Sequence, residues 1–238
     1  MRGLKNKITS LILDSIFPKE CIFCEEEGDW ICRNCFLFLE FREHKICVNC
    51  NRSRHKTKKG FCPECKSLFS LDGMIVAGDY NQERIKKAIK FLKYRFVRGL
   101  GPILADFITY FLQETDNIKT VTSGKPAVVP MPLHWKRENW RGFNQAHLIG
   151  QGVAQNLNLT LDPNLKRIKY KKPQTKLKRR ERLHNIKNSF AWKGDDLNGK
   201  TIILVDDVVT TGATMNEAAQ TLKQNGAKKV LGVAVAGE

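Results

Sequence analysis

All eight cysteines of this chain fall between residues 21 and 65, as four CxxC pairs: Cys21/Cys24, Cys32/Cys35, Cys47/Cys50 and Cys62/Cys65. Two thiolates on one tight knuckle reach the same ion, and eight complete two tetrahedral zinc sites with four cysteine ligands each. One such pair could be a redox motif, but four in 45 residues, with no strand-helix unit before them, are not. A disulfide framework would need an oxidising compartment, and nothing in the sequence directs export. The spacing leaves the pairing open between successive ribbons and a cross-braced arrangement. Successive ribbons are favoured because each set of four encloses a short, hairpin-sized gap. His44 and His55 lie nearby but are superfluous as ligands beside a full thiolate complement.

Cysteine is absent from residue 66 onward, so the 238 residues divide into a small amino-terminal zinc-ribbon domain, 1–68, and a larger domain, 69–238. Leu4, Ile8, Leu11, Ile12 and Ile16 stand at helical spacing and predict a short amphipathic helix before Pro18. Asp14 interrupts this apolar run and no small-residue cleavage site follows, which argues against a signal peptide. Nowhere do about 18 apolar residues run together, so no membrane insertion and a cytoplasmic location are expected.

In the larger domain, strand and helix patterns alternate. Strands are predicted at 74–77, 127–131, 165–168, 201–205 and 229–236, and helices at 82–96, 103–112, 144–157 and 215–224. Residues 116–126 read as a surface loop, and Lys86, Lys87, Lys90 and Lys93 as the solvated face of the first helix. The class is α/β, a doubly wound and mostly parallel sheet.

Residues 202–214, IILVDDVVTTGAT, concentrate the chemistry. An aliphatic run suited to a strand buried on both faces ends in Asp206 and Asp207; a small, hydroxyl-rich turn then precedes a helix. Ligands of open α/β sheets bind at such a turn, where free helix amides and the helix dipole favour an anion. Gly212 lets the backbone approach a phosphate, and Thr210, Thr211 and Thr214 supply hydroxyl donors. The carboxylates would repel a bare phosphate, but they suit sugar hydroxyls or a magnesium ion. This chemistry requires both acids to open on one pocket with the turn, neither salt-bridged in the interior nor plugged. No GxxxxGK[ST] occurs, which disfavours kinase or ATPase chemistry.

The string resembles the phosphoribosyl pyrophosphate (PRPP) motif of type I phosphoribosyltransferases. The resemblance implies that Asp206 and Asp207 face the ribose hydroxyls, directly or through Mg2+, as the catalytic acids. It implies too that Val208, Val209, Thr210, Thr211, Gly212, Ala213 and Thr214 form the PRPP cradle. A second loop, PLHWKRENWRGFNQ at 132–145, puts Lys136, Arg137 and Arg141 at another carboxyl-end crevice, where relatives bind pyrophosphate; Asn144 is a reasonable helix cap. Trp135, Trp140 and Phe143 read as packing or loop anchors more than as base-stacking platforms.

The formal net charge is +17, which implies a polyanionic partner. Residues 164–193 carry twelve Lys or Arg against one acid, Glu181, and so supply +11 of that total. Tyr170, Phe190 and Trp192 are interleaved, and cations among flat rings suit single-stranded nucleic acid. The same segment, with Lys176, Lys178, Arg179, Arg180 and Arg182, is a candidate flap over pyrophosphate.

The four knuckles, RGFNQ at 141–145, RRERLHNIKNSF at 179–190 and VDDVVTTGAT at 205–214 appear in this order, and with them the chain resembles the ComF family over essentially its whole length. Members join a zinc-ribbon region to a type I phosphoribosyltransferase domain and are linked to single-stranded DNA handling during competence and DNA uptake. The resemblance therefore implies two structural Zn2+ ions, Mg2+ with PRPP, and PRPP, single-stranded DNA and a helicase or recombination protein as partners. Relatives acting on 6-oxopurines carry an Asp where Thr210 stands, which puts a purine acceptor in doubt. With no cysteine next to Met1, a glutamine amidotransferase is not expected. Two readings remain: a phosphoribosyltransferase of unknown acceptor, or a non-catalytic DNA-binding and docking protein with a relic PRPP site.

Overall fold

A computed structural model describes residues 18–42, 47–50, 60–115, 117–169 and 188–238. The chain divides into two compact units, Met1–Leu39 and Glu40–Glu238. In the first, an antiparallel bridge between Glu20 and Glu27 frames the opening knuckle, and helix α1 (Arg33–Leu37) begins at Cys32, whose thiol accepts the Cys35 amide. The amino-terminal helix expected over 4–16 lies outside the described residues.

The second unit starts its regular structure with a single turn, α2 (Pro63–Lys66), and then builds a parallel sheet from β1 (Gly73–Asp79), β2 (Ala127–Pro130), β3 (Thr160–Leu161), β6 (Thr201–Val209) and β7 (Lys229–Gly237). The order is β1-β7-β6-β2-β3. β6 and β7 are central, and 202–205 of β6 and 230–237 of β7 are buried, which explains why those stretches are largely continuous apolar runs rather than alternating ones. Helices α3 (Glu83–Tyr94), α4 (Leu100–Glu114) and α7 (Gln145–Asn156) carry apolar stripes; α4 and α7 pack on each other and on the sheet. Helix α8 (Ala213–Gln224) packs its Met215, Ala218, Ala219 and Leu222 into one cluster with Ile202 and Leu204 of β6. Side chains alternate along a strand, so Ile203 and Val205 turn to the opposite face.

Three expectations change. Residues 117–122 form a helix, α5 (Asn117–Thr122), anchored by a single buried side chain, Val121, too short a pattern to show periodicity. The loop expected after β2 contains a further helix, α6 (Trp135–Arg141). His134 Nδ1 accepts the Lys136 amide at its start, and Gly142, at φ 75°, ends it in the left-handed region. The strand near 165 does not join the main sheet; β4 (Leu165–Arg167) pairs antiparallel with β5 (Phe190–Trp192) as a separate ladder. Asn144 caps α7 as expected, its Oδ1 accepting the Ala146 amide at 3.0 Å. Among the described residues no helix is long and apolar enough to cross a membrane.

Candidate functional site: an acid pair, a glycine turn and two cysteine clusters

β6 runs four residues past Val205, because Val208 and Val209 keep pairing with Ala236 and Gly237 of β7. Asp206 and Asp207 therefore stand within the strand rather than after it, and the pleat sends them to opposite faces. Asp207 turns to the side of Ile203 and Val205 and is ion-paired with Lys93 of α3. Burial works against its charge, but the Lys93 ammonium, with hydrogen bonds from Lys93, Asp206 and Gln145, outweighs it and holds the carboxyl below the usual range. For Asp206, burial and then the neighbouring Asp207 charge push its carboxyl well above the usual range. Its Oδ1 accepts the Asp207 amide at 2.8 Å.

The turn that follows is closed by Gly212, which caps α8 in the left-handed region at φ 74° and offers no side chain. Thr211 Oγ1 lies 3.4 Å from the Ala213 amide. The first turn of α8 thus presents amides and the positive end of the helix dipole and contains no acidic residue of its own. A cleft of about 200 Å³ opens there. Asp206, Asp207, Val208, Val209, Thr210, Gly212, Ala213 and Thr214 all line it. Lys93, Arg137 and Arg167 complete the wall, so three cations face two acids. Among the described residues, Arg167 Nε is buried without a hydrogen-bond partner. An orphaned guanidinium nitrogen beside an open cleft suits an anion better than it suits a packed interior.

The sequence required acids free of interior salt bridges, and Asp207 departs from this. A buried carboxylate beside a second one needs a countercharge, and Lys93 provides it for Asp207. The ion pair is itself part of the cleft wall, and Asp206 remains open to the cleft. Arg141 stands behind the lining: it donates to Gln145 Oε1, and its guanidinium lies 5.9 Å from the centre of the Tyr94 ring. Lys178, Arg179 and Arg180, with Tyr170, Lys176 and Arg182, lie outside the described residues.

Lys93, Gln145 and Arg167 did not stand out in the sequence. Lys93 does not belong to the solvated face, because it follows Ile89 by four residues and so flanks the apolar stripe; that spacing is the signal the sequence carries. Arg167 sat unremarked in a charge run. Two of the rings expected to stack on nucleic acid are also placed otherwise. Phe190 is buried in the main apolar cluster, and Trp192 packs against it with Nε1 donating to the Asp195 carbonyl. The short strand β5 demands it, since one face of the ladder must cover α8. Among the described residues the exposed rings are instead Phe38, Tyr94, Phe96, Tyr110, Trp135 and Trp140.

The cysteines gather as two successive sets, Cys21, Cys24, Cys32 and Cys35, and Cys47, Cys50, Cys62 and Cys65. Within each, the four sulfurs lie within 4.8 Å of one another, with Cys24 and Cys32 at 3.6 Å and Cys50 and Cys62 at 3.9 Å. A tetrahedral zinc with bonds near 2.3 Å sets sulfurs roughly 3.8 Å apart, so both sets fit that ion. His44 and His55 lie outside the described residues.

Cysteine clusters of this kind joined to a parallel sheet with an acid pair and a glycine turn define a double zinc ribbon coupled to a phosphoribosyltransferase fold. Residues 12–66 match the family described as double zinc ribbon domain, and residues 145–237 the phosphoribosyl transferase domain. The DNA utilization protein YhgH of Salmonella typhi is 41% identical over 84% of this chain and 92% of its own length. Competence protein F of Haemophilus influenzae is 28% identical over 81% of this chain and 95% of its own, and competence protein ComFC of Bacillus subtilis 29% over 87% and 89%. The chain belongs to the ComF family.

Proposed function

We propose that the cleft binds PRPP with Mg2+ and that the protein is a cytoplasmic phosphoribosyltransferase-like enzyme. One observation carries this: Asp206 and Asp207 share a single cleft with the glycine-capped start of α8. The 5-phosphate would rest on residues 210–214, where amides and threonine hydroxyls converge. The ribose hydroxyls would face Asp206 and Asp207, while Arg137 and Arg167, with Arg141 behind them, would hold the pyrophosphate. Mg2+ suits the carboxylates, because burial beside Asp207 makes the charge of Asp206 costly until a cation relieves it. As the bond from ribose carbon 1 to pyrophosphate breaks and the acceptor bonds to that carbon, the residues act by positioning and by neutralising the departing charge, to which Lys178, Arg179 and Arg180 would add theirs. Pyrophosphate release measured across candidate acceptors tests this: stimulation by one acceptor class supports transfer, and none with any class leaves PRPP as a ligand only.

A second reading, compatible with the first, is single-stranded DNA binding during competence or DNA uptake, with transfer to a helicase or recombination protein. A specific feature favours it: Phe96 and Trp140 stack edge-on with ring centres 5.5 Å apart on the surface, and Tyr94 lies against Arg141 beside them. Exposed rings among arginines suit unpaired bases. Binding of an unstructured oligonucleotide should weaken steeply with salt; a flat salt dependence argues against it.

A further inference from the structure

The second cysteine set is built into the same compact unit as the cleft. Cys47, Val48, Phe61, Cys62, Cys65 and Phe69 belong to one buried cluster with Val209 of β6 and Met215 of α8. Phe61 and Phe69 stack with centres 4.6 Å apart, and the Val48 amide donates to the Gly60 carbonyl at 2.9 Å, which sets knuckle and rings in one block. That block lies directly under the turn. A side chain at Gly212 would meet Phe69 Cε1 at 3.2 Å and Val48 Cγ1 at 3.8 Å. One residue past the cleft, Asn216 Oδ1 accepts the Ser70 amide at 2.6 Å and the Leu71 amide at 3.4 Å. At the other end of α8, the Asp72 carboxylate holds Lys223 at 3.0 Å and the Val230 amide at 2.8 Å. The segment after Cys65 thus clasps α8 at both ends.

We propose that this second zinc site is the floor of the anion cradle: when the metal holds Cys47, Cys50, Cys62 and Cys65 together, it fixes Val48 and Phe69 beneath Gly212 and the 70–71 amides on Asn216. Metal occupancy there sets the shape of the 210–214 turn. Phe69 and Asn216 are positioning residues for whatever anion the turn binds. Coupling of this kind is reciprocal, so an anion in the cradle also tightens the hold on zinc. Only that last consequence rests on the PRPP reading above.

Hydrogen exchange on the full-length, zinc-loaded chain tests it without ligand. The probes are the amides of residues 216–219, beginning with Asn216, whose N–H donates to the Gly212 carbonyl at 2.8 Å. α7 is the internal reference. In Asn216→Ala and in Phe69→Ala, both with full zinc content, exchange at 216–219 should rise roughly tenfold or more while α7 is unchanged. Cys47→Ser/Cys65→Ser should bind one zinc fewer and show the same local loosening. If the double cysteine variant does not fold, Asn216→Ala carries the test alone, since its side chain can be removed without touching the metal ligands. Unchanged exchange at 216–219, or an equal rise in α7, overturns the proposal. In a parallel assay, zinc transfer to a chromogenic chelator should slow several-fold for one ion when Mg-PRPP is present. Exchange coupling without any PRPP effect upholds the zinc floor and removes PRPP as its ligand.

Discussion

Lys93, near the end of α3, is ion-paired with Asp207, the second acid of β6, and this contact favours the charged form of Asp207 while burial and the Asp207 charge disfavour that of Asp206. The side chains are 18% and 4% exposed, so the pair is largely shielded from water although it borders the cleft. Replacing Lys93 by Met should strand a buried charge and destabilise the chain by about 3 kcal/mol. Thermal unfolding of Lys93→Met, Asp207→Asn and the double variant checks it. The double variant should be more stable than the sum of the singles, as expected of residues in direct contact.

The two acids should respond oppositely to pH. The folded-state carboxyl of Asp207 is depressed, so its contribution is present above the ordinary carboxylate range near 4 and fades as pH falls through its folded value. That of Asp206 is raised, so its ionisation costs stability as pH rises from that range through its folded value. In the absence of ligand, Asp206→Asn should therefore raise Tm at pH 7.5 more than at pH 4.5, while Asp207→Asn should lower it at pH 7.5. Scanning calorimetry at the two pH values reads both signs.

Gly212→Ala combines a left-handed backbone at φ 74° with a new Cβ 3.2 Å from Phe69. A loss of about 1–2 kcal/mol is expected, visible as a Tm drop of about 2–8 °C for a unit of this size. Asn at the same position tolerates the backbone but meets the same ring, so it should recover only part of the loss.

For nucleic acid, rings and cations should separate. Phe96→Ala with Trp140→Ala should weaken single-strand binding by about 1–3 kcal/mol per base stack lost and leave the salt slope unchanged. Arg95 and Arg98 are exposed on either side of Phe96 in the sequence, and Arg95→Gln with Arg98→Gln should reduce that slope. Fluorescence titrations over a salt series distinguish the two, and a ring variant that binds as tightly as the parent would move the site elsewhere.

Much of the site was legible in the sequence because strand, acid pair, glycine turn and helix are contiguous: residues 202–214 carry their own geometry. The cysteine grouping was legible for the same reason, each set being local. What escaped the sequence is what tertiary packing assembles. Lys93 lies more than a hundred residues from Asp207, and no local pattern separates a lysine that ends an amphipathic stripe from one that faces water. Phe190 and Trp192 sit in a charge run but fold inward, because the β4–β5 ladder needs an apolar face against α8. The short α5 and α6 depend on one buried valine and on a histidine cap, signals too small to outweigh their polar surroundings. The packing of Phe69 beneath Gly212 joins residues that nothing in their spacing connects.

Titration calorimetry with Mg-PRPP on the parent chain and on Asp206→Asn/Asp207→Asn tests the central claim most directly. The parent should bind one PRPP per chain, and the double variant, provided that it stays folded by circular dichroism, should lose most of that affinity. A folded double variant that binds PRPP as the parent does would contradict the placement of the ligand between the acid pair and the glycine turn, as would a parent chain that gives no binding heat.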